Sequence, residues 1–441
     1  MRLLDQVWPD ADVDSDADSD APVDADVGTA APQRHINPNL AHTHRFDENP
    51  PLVLVNFWFF LFFYYGVYNV IALWLITRLF RMYSLNWWPS NWTGKAASFV
   101  CWSASMAAGT VIHLFIPEIE GFTLTWVLLT FLMLALPLLS AFLVIRGESR
   151  NVYRHSLTIT QQTFLASSIG PRIPASYFRF LWFCVVLVIM WGTTVAGGFY
   201  AWKFMSKLPR TGVEAFFYVY TWVGAVYALD FICETIVEEK IRSYPLCSVF
   251  RLYFYLLYFI FYRNLFARLR NVEQFALIQI ASSIWVCIFY PLRMTKTTHN
   301  FLVRWFGVTR SFEDYQKMVG QLFYTRTVAE NVTMVGFLCW MNVLHFGFNA
   351  PVYPYFQFEG YAGDPYTYRL TMICSVGIWV TELASAYVTR WIFKRHFRHS
   401  ITREAVHDIQ CYPETVLTLI LVAVHVMQGM LLALFQLNFE H

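Results

Sequence analysis

The chain has 441 residues, of which 57% are hydrophobic, 19% aromatic and 14% charged, and its 32 basic and 30 acidic residues leave a formal net charge of +2. Soluble domains carry about 25% charged residues. So low a share, with 41 Phe, 25 Tyr and 17 Trp, excludes a chain whose main solvent is water.

Residues 1–50 are unlike the rest. Asp10, Asp12, Asp14, Asp16, Asp18 and Asp20 alternate with small residues, a composition that cannot bury enough apolar surface to fold and that predicts a disordered acidic tail. A calcium loop counted from Asp12 would need Gly sixth and Glu twelfth, where the chain has Ala17 and Val23. Met1 to Pro9 is too short and too polar for the apolar core of a cleavable signal peptide, so targeting is expected to fall to the first apolar stretch.

Residues 51–441 form the second domain. A bilayer core about 30 Å thick takes about 20 apolar residues of helix, and such stretches occur at 52–79, 96–116, 122–145, 178–202, 213–237, 246–262, 273–292, 328–349, 367–393 and 413–436. The predicted fold is an all-α polytopic integral membrane protein of about ten transmembrane helices behind a disordered acidic N-terminal tail. The sixth stretch, short and carrying Arg251, is the one expected to be re-entrant or interfacial.

About 22 of the 32 basic residues fall in segments that share one side if the N-terminus is outside, which places both termini on the non-cytoplasmic face. The sequon Asn91-Trp92-Thr93 cuts against this orientation, since it would lie in the cytoplasm and stay unmodified. In the 297–327 connection, Ser311 and Asp314 form a potential capping box ahead of Phe312, Tyr315, Met318, Val319, Leu322 and Phe323 at helical spacing, a pattern that predicts a helix on the membrane surface. The 147–177 connection, with Arg150, Arg154, His155 and Pro171, is more irregular, and 350–366 reads as an aromatic cap. The eight cysteines lie in or beside apolar stretches without a CxxC pair and read as small core residues.

Ionisable groups inside a membrane are costly and mark function or pairing. Glu382, with Thr381 and Ser385 nearby, falls near the middle of the ninth stretch, and His425, with Gln428, near the middle of the tenth. If the two helices are antiparallel neighbours, the carboxylate and imidazole meet and can share a proton, or they simply lock two helices together. In the fifth stretch Asp230 and Glu234 lie four residues apart, with Glu238 continuing the face. That stripe can line a cation path, contribute oxygens to a metal, or pair with Arg251. His113 and His345 stand near stretch ends, where the usual role is an interfacial anchor. Glu118, Glu120, Glu359 and Asp364 give the outer face a negative vestibule that favours cations. Ser105 with Gly109, and Gly192 with Ala196, mark packing seams.

Several chemistries are excluded. No lysine lies mid-stretch for a retinal Schiff base, no HExxH or phosphate-cradling glycine loop occurs, and the regularly spaced arginines of a voltage sensor are missing. His155, His299, His396, His399 and His407 are too few and wrongly spaced for a di-iron desaturase, and His113, His345 and His425 fall on three helices where haem would need pairs on two. No cofactor or metal is assigned.

The expected function is a transporter or channel for a cation or proton-coupled solute, with a path near Glu382, His425, Asp230, Glu234 and His345. The alternatives are a lipid-modifying enzyme using His407 with Asp408 as general base at the cytoplasmic face, and a receptor or assembly subunit without chemistry. Expected partners are the lipid bilayer, anionic headgroups at basic cytoplasmic loops such as Lys394, Arg395, Arg398 and Arg403, and a protein partner or second copy, with no nucleic acid.

Overall fold

Where water is scarce, a helix satisfies its backbone polar groups within one segment. The computed structural model describes residues 56–82, 92–146, 175–205, 212–241, 243–266, 272–306, 311–347 and 368–434, and every regular element among them is helical. The acidic tail, the sequon's Asn91, His155 and the cap carrying Glu359 and Asp364 lie outside the described residues.

In chain order, α1 starts at Phe57–Phe59, passes through a π-helical turn at Phe60–Tyr65 and continues as Gly66–Met82. There follow α2 (Trp92–Phe115), a short α3 (Pro117–Glu120), α4 (Thr123–Arg146) and α5 (Ala175–Met205). Next, α6 (Gly212–Ile236) ends in a second π-helical turn, Val237–Ile241, before α7 (Tyr244–Phe266), α8 (Val272–Arg293) and α9 (Lys296–Phe306). The last four are α10 (Phe312–Phe346), α11 (Tyr368–His396), α12 (Ile401–Cys411) and α13 (Glu414–Leu434).

Eight of these, α1, α2, α5, α6, α7, α10, α11 and α13, are long and apolar enough to cross a membrane, consistent with an integral membrane protein. The count differs from the ten expected: among the described residues the apolar runs of α4 and α8 are Thr123–Leu139 and Ile278–Arg293, within helices of 24 and 22 residues. Exposed side chains such as Phe63, Phe99, Leu132, Phe217, Ile284 and Tyr387 amount to far more apolar surface than a water-soluble monomer shows.

The sixth stretch, expected to be re-entrant or interfacial, is long and apolar enough to cross a membrane and lies at the centre of the fold: 78% of its apolar window is buried within the protein, against at most 50% in the other seven. Helix α7 packs against α1, α5, α6, α10 and α13. Its sequence is apolar around the whole circumference, as a helix enclosed by others requires. Arg251 did not expel it from the interior because that guanidinium is paired, as described below.

The expected surface helix is also corrected. Ser311 does cap a helix, accepting from the Asp314 amide at 3.2 Å and donating to its carboxylate at 2.7 Å. That helix runs unbroken through the eighth apolar stretch to Phe346. At 1.5 Å per residue its 35 residues span roughly 52 Å, well beyond a 30 Å core. Its first turns bury Tyr315, Val319, Leu322 and Phe323, and α12 docks there. Gly320 allows the approach, since a Cβ at that position would stand 2.9 Å from His399 Nε2.

Buried hydrogen bonds tie α1, α2 and α4 together. Asn69 donates to Tyr65 O and Ser105 Oγ, each at 3.0 Å, and accepts from Thr130 Oγ1 at 2.9 Å. The π turn directly before it sets this face of α1, because a π turn shifts the side-chain register. Asn69, Ser105 and Thr130 are all inaccessible to solvent, so each depends on the others for its partners.

Candidate functional site

Three features inside the bundle bear on function: two clusters of buried charge and one cavity.

The first cluster gathers around the end of α7. Arg263 Nη2 donates to Glu382 Oε2 of α11 at 2.6 Å, and Arg326 of α10 stands 3.5 Å from Glu330 one turn on. The two guanidiniums flank the Phe259 ring at 5.8 and 5.3 Å, and Glu330 lies within electrostatic reach of both Arg263 and Glu382. Two cations and two carboxylates thus compensate one another. Beside them Tyr262 donates to Gln279 Oε1 at 3.2 Å and Gln279 donates to Thr381 Oγ1 at 2.9 Å, joining α7, α8 and α11.

The second cluster lies at the start of α7. Arg251 Nη2 donates to Glu234 Oε1 at 2.6 Å, and buried Asp230 lies within electrostatic reach of Arg251, Glu234 and Arg293. Donor atoms of Glu234, Glu238 and Cys247 fall within 4.8 Å of one another. Arg251 already holds the Glu234 carboxylate, however, and a cation there would have to displace it.

The cavity, about 490 Å³, is walled by the first halves of α1, α4 and α6 and the second halves of α5, α7 and α13, at one end of the bundle. Its lining is mostly apolar, including Phe131, Trp222, Leu257 and Phe261, and none of the lining residues is Asp, Glu, Lys or Arg. Polarity enters at few points. His425 stacks on Tyr68, ring centroids 4.6 Å apart, with Tyr68 Oη 3.5 Å from Nε2. Thr194 and Tyr253 share a hydrogen bond between their hydroxyls, and Thr193 donates to its own helix. His425 Nδ1 and Trp222 Nε1 are buried and have no hydrogen-bond partner among the described residues.

The residues singled out from the sequence are therefore distributed over separate places. The structure does not bring Glu382 and His425 together: Glu382 is taken by Arg263 and His425 by Tyr68. Consecutive helices need not be each other's partners, and here α11 and α13 each pack on α10. Asp230 and Glu234 belong to the second charge cluster. His345 stacks face to face on Tyr368 at 3.9 Å, near the end of α10 and away from the cavity lining. A buried carboxylate–imidazole pair does exist, between Glu120 and His113 at 2.7 Å; the short α3 turns Glu120 back onto α2. Adjacent positions on a helix diverge: His407 faces Cys411 at 3.6 Å, while Asp408 accepts from Gln321 at 2.7 Å. In α12 burial pushes the Glu404 carboxyl up, against the opposing pull of His399 2.8 Å away.

Nothing in the sequence sets Arg263 or Glu330 apart as a site residue, and Arg326 reads only as a flanking charge. Arg263 follows the sixth stretch by one residue and Arg326 precedes the eighth by two. The signal available was the i, i+4 spacing of Arg326 and Glu330, which puts opposite charges on one face.

The chain belongs to the SPCC553.12c family, which matches residues 38–435. A relative in Schizosaccharomyces pombe, named uncharacterized protein C553.12c, is 34% identical over 407 residues, covering 90% of this chain and 76% of the relative. No solved structure matches.

Proposed function

We propose that this member of the SPCC553.12c family is a multi-pass membrane transporter that takes a proton-coupled solute into the cavity beside His425. In this reading the chain crosses the bilayer about ten times, α4 and α8 included, with both termini on the non-cytoplasmic face. The cavity carries the proposal: a space of about 490 Å³ inside a helical bundle, bounded by six helices and holding one imidazole among apolar walls. An imidazole can take and release a proton through its ring nitrogens. Glu234, Glu330 and Glu382 have guanidinium partners and Asp230 lies beside one, so their role here is to hold α6, α7, α10 and α11 in place, and the path is assigned to His425 instead.

The test is proton movement into vesicles holding the purified full-length protein and a pH-sensitive dye, under an imposed gradient and in the presence of a total lipid extract. Wild type is expected to acidify the lumen, and His425→Phe, which keeps the stacking on Tyr68, is expected not to. Silence of the wild type under every gradient would sink the transport reading.

A further inference from the structure

The lining of the cavity also bears on the chemical class of its occupant. Resting on the reading of this space as the solute site, we propose that it binds an uncharged single-chain lipid whose polar group is a hydroxyl.

Charge is the first filter. With no Asp, Glu, Lys or Arg in the lining, a phosphate or a quaternary ammonium inside would be a buried ion without a counter-ion, and such ions are strongly disfavoured. Phospholipid headgroups are excluded on that ground. The Thr193 and Thr194 hydroxyls already donate to the carbonyls of Ile189 and Met190 and keep lone pairs for an incoming donor, which a fully apolar molecule would leave unused. A lipid hydroxyl can donate to such lone pairs and needs no counter-charge.

Size is the second filter. A space of about 490 Å³ falls in the usual range of small-molecule pockets, about 300–1,000 Å³, and has room for one acyl-type chain with its oxygen. The walls suit a chain. Gly197 and Gly429 both line the space; a Cβ on Gly197 would come within 2.9 Å of the Trp222 ring, whereas one on Gly429 would meet nothing within 4 Å. Phe122 and Phe199 line the cavity and are also exposed, which gives a chain an apolar route in from the surface of the bundle.

The experiment uses the full chain in lipid nanodiscs and a photoactivatable, alkyne-tagged hexadecanol, beside the matching hexadecanoic acid and a sterol probe. Hexadecanol is expected to label peptides of α5, α6 or α13 in preference to both others. Gly429→Phe, which projects a ring into open cavity space, is expected to cut that labelling about tenfold, the loss produced by roughly 1.4 kcal/mol of binding. Gly377→Phe on α11, also with nothing within 4 Å of its Cβ and not in the lining, is expected to label like wild type and controls for folding. Equal or stronger labelling by the acid or the sterol overturns the proposed class, and labelling indifferent to Gly429→Phe overturns the site. Alcohol labelling without proton movement would leave this inference standing and remove the transport reading; proton movement without alcohol labelling would do the reverse.

Discussion

The Arg263–Glu382 pair offers a sharp test because its two halves are not equivalent. Both side chains are almost completely buried, at 2% and 6% exposure, and removing one partner of such a pair costs about 3–5 kcal/mol, since an uncompensated charge remains inside. The asymmetry comes from what each survivor can do. A carboxylate left alone can take up a proton, whereas a guanidinium cannot shed one. Glu330 does lie within reach of Arg263, but Arg326 stands 3.5 Å from it and draws on the same carboxylate. Glu382→Leu is therefore expected to destabilise by about 3–5 kcal/mol, Arg263→Met by roughly half as much, and the double variant by about 1 kcal/mol or less, because apolar replacement of a whole buried pair is close to neutral. The assay is thermal denaturation of the detergent-solubilised protein, followed by tryptophan fluorescence at several heating rates. Costs that simply add in the double variant would show that the charges are not coupled as the geometry indicates, and equal costs in the two single variants would refute the asymmetry.

Two further substitutions test the packing. Asn69→Leu removes one hydrogen bond within α1 and two that join α1 to α2 and α4; it is expected to lower stability by about 1–3 kcal/mol, and a melting temperature equal to wild type would contradict the network. Gly109→Ala would place a Cβ 2.8 Å from Leu61 and 3.1 Å from Trp126, so overpacking of about 1–3 kcal/mol is expected, while Gly377→Ala, with open space around its Cβ, is expected to be neutral or mildly stabilising. Melting curves that rank these two alanines the other way would refute the close approach of α1, α2 and α4.

Much of the fold is legible in the sequence because lipid-facing and core-facing helices share one requirement, a long apolar stretch, and that requirement shows in any single segment. What hydropathy cannot rank is which stretch lies at the centre. Arg251 made α7 look peripheral, and the opposite is true: its two arginines are tolerated inside because Glu234 and Glu382 arrive from other helices. The nearer of those partners, Glu234, was visible from relative depth along two consecutive helices. Glu382 was marked correctly as a buried polar group but matched with His425, since chain order suggested adjacency that the packing on α10 does not provide. The cavity was invisible for a related reason. A void is defined by the side chains that fail to meet across several helices, and Trp222, Thr193 and Gly429 carry no mark in the sequence that they face one space. Only His425 stood out beforehand, as an ionisable residue in an apolar run, and the structure sets its imidazole at that cavity and apart from the compensated charges. This separation is what moves the functional reading from the acids to the imidazole. A carboxylate already bonded to a guanidinium must break that bond before it can serve a solute, whereas the His425 imidazole has a ring contact with Tyr68 and no ion pair to break among the described residues.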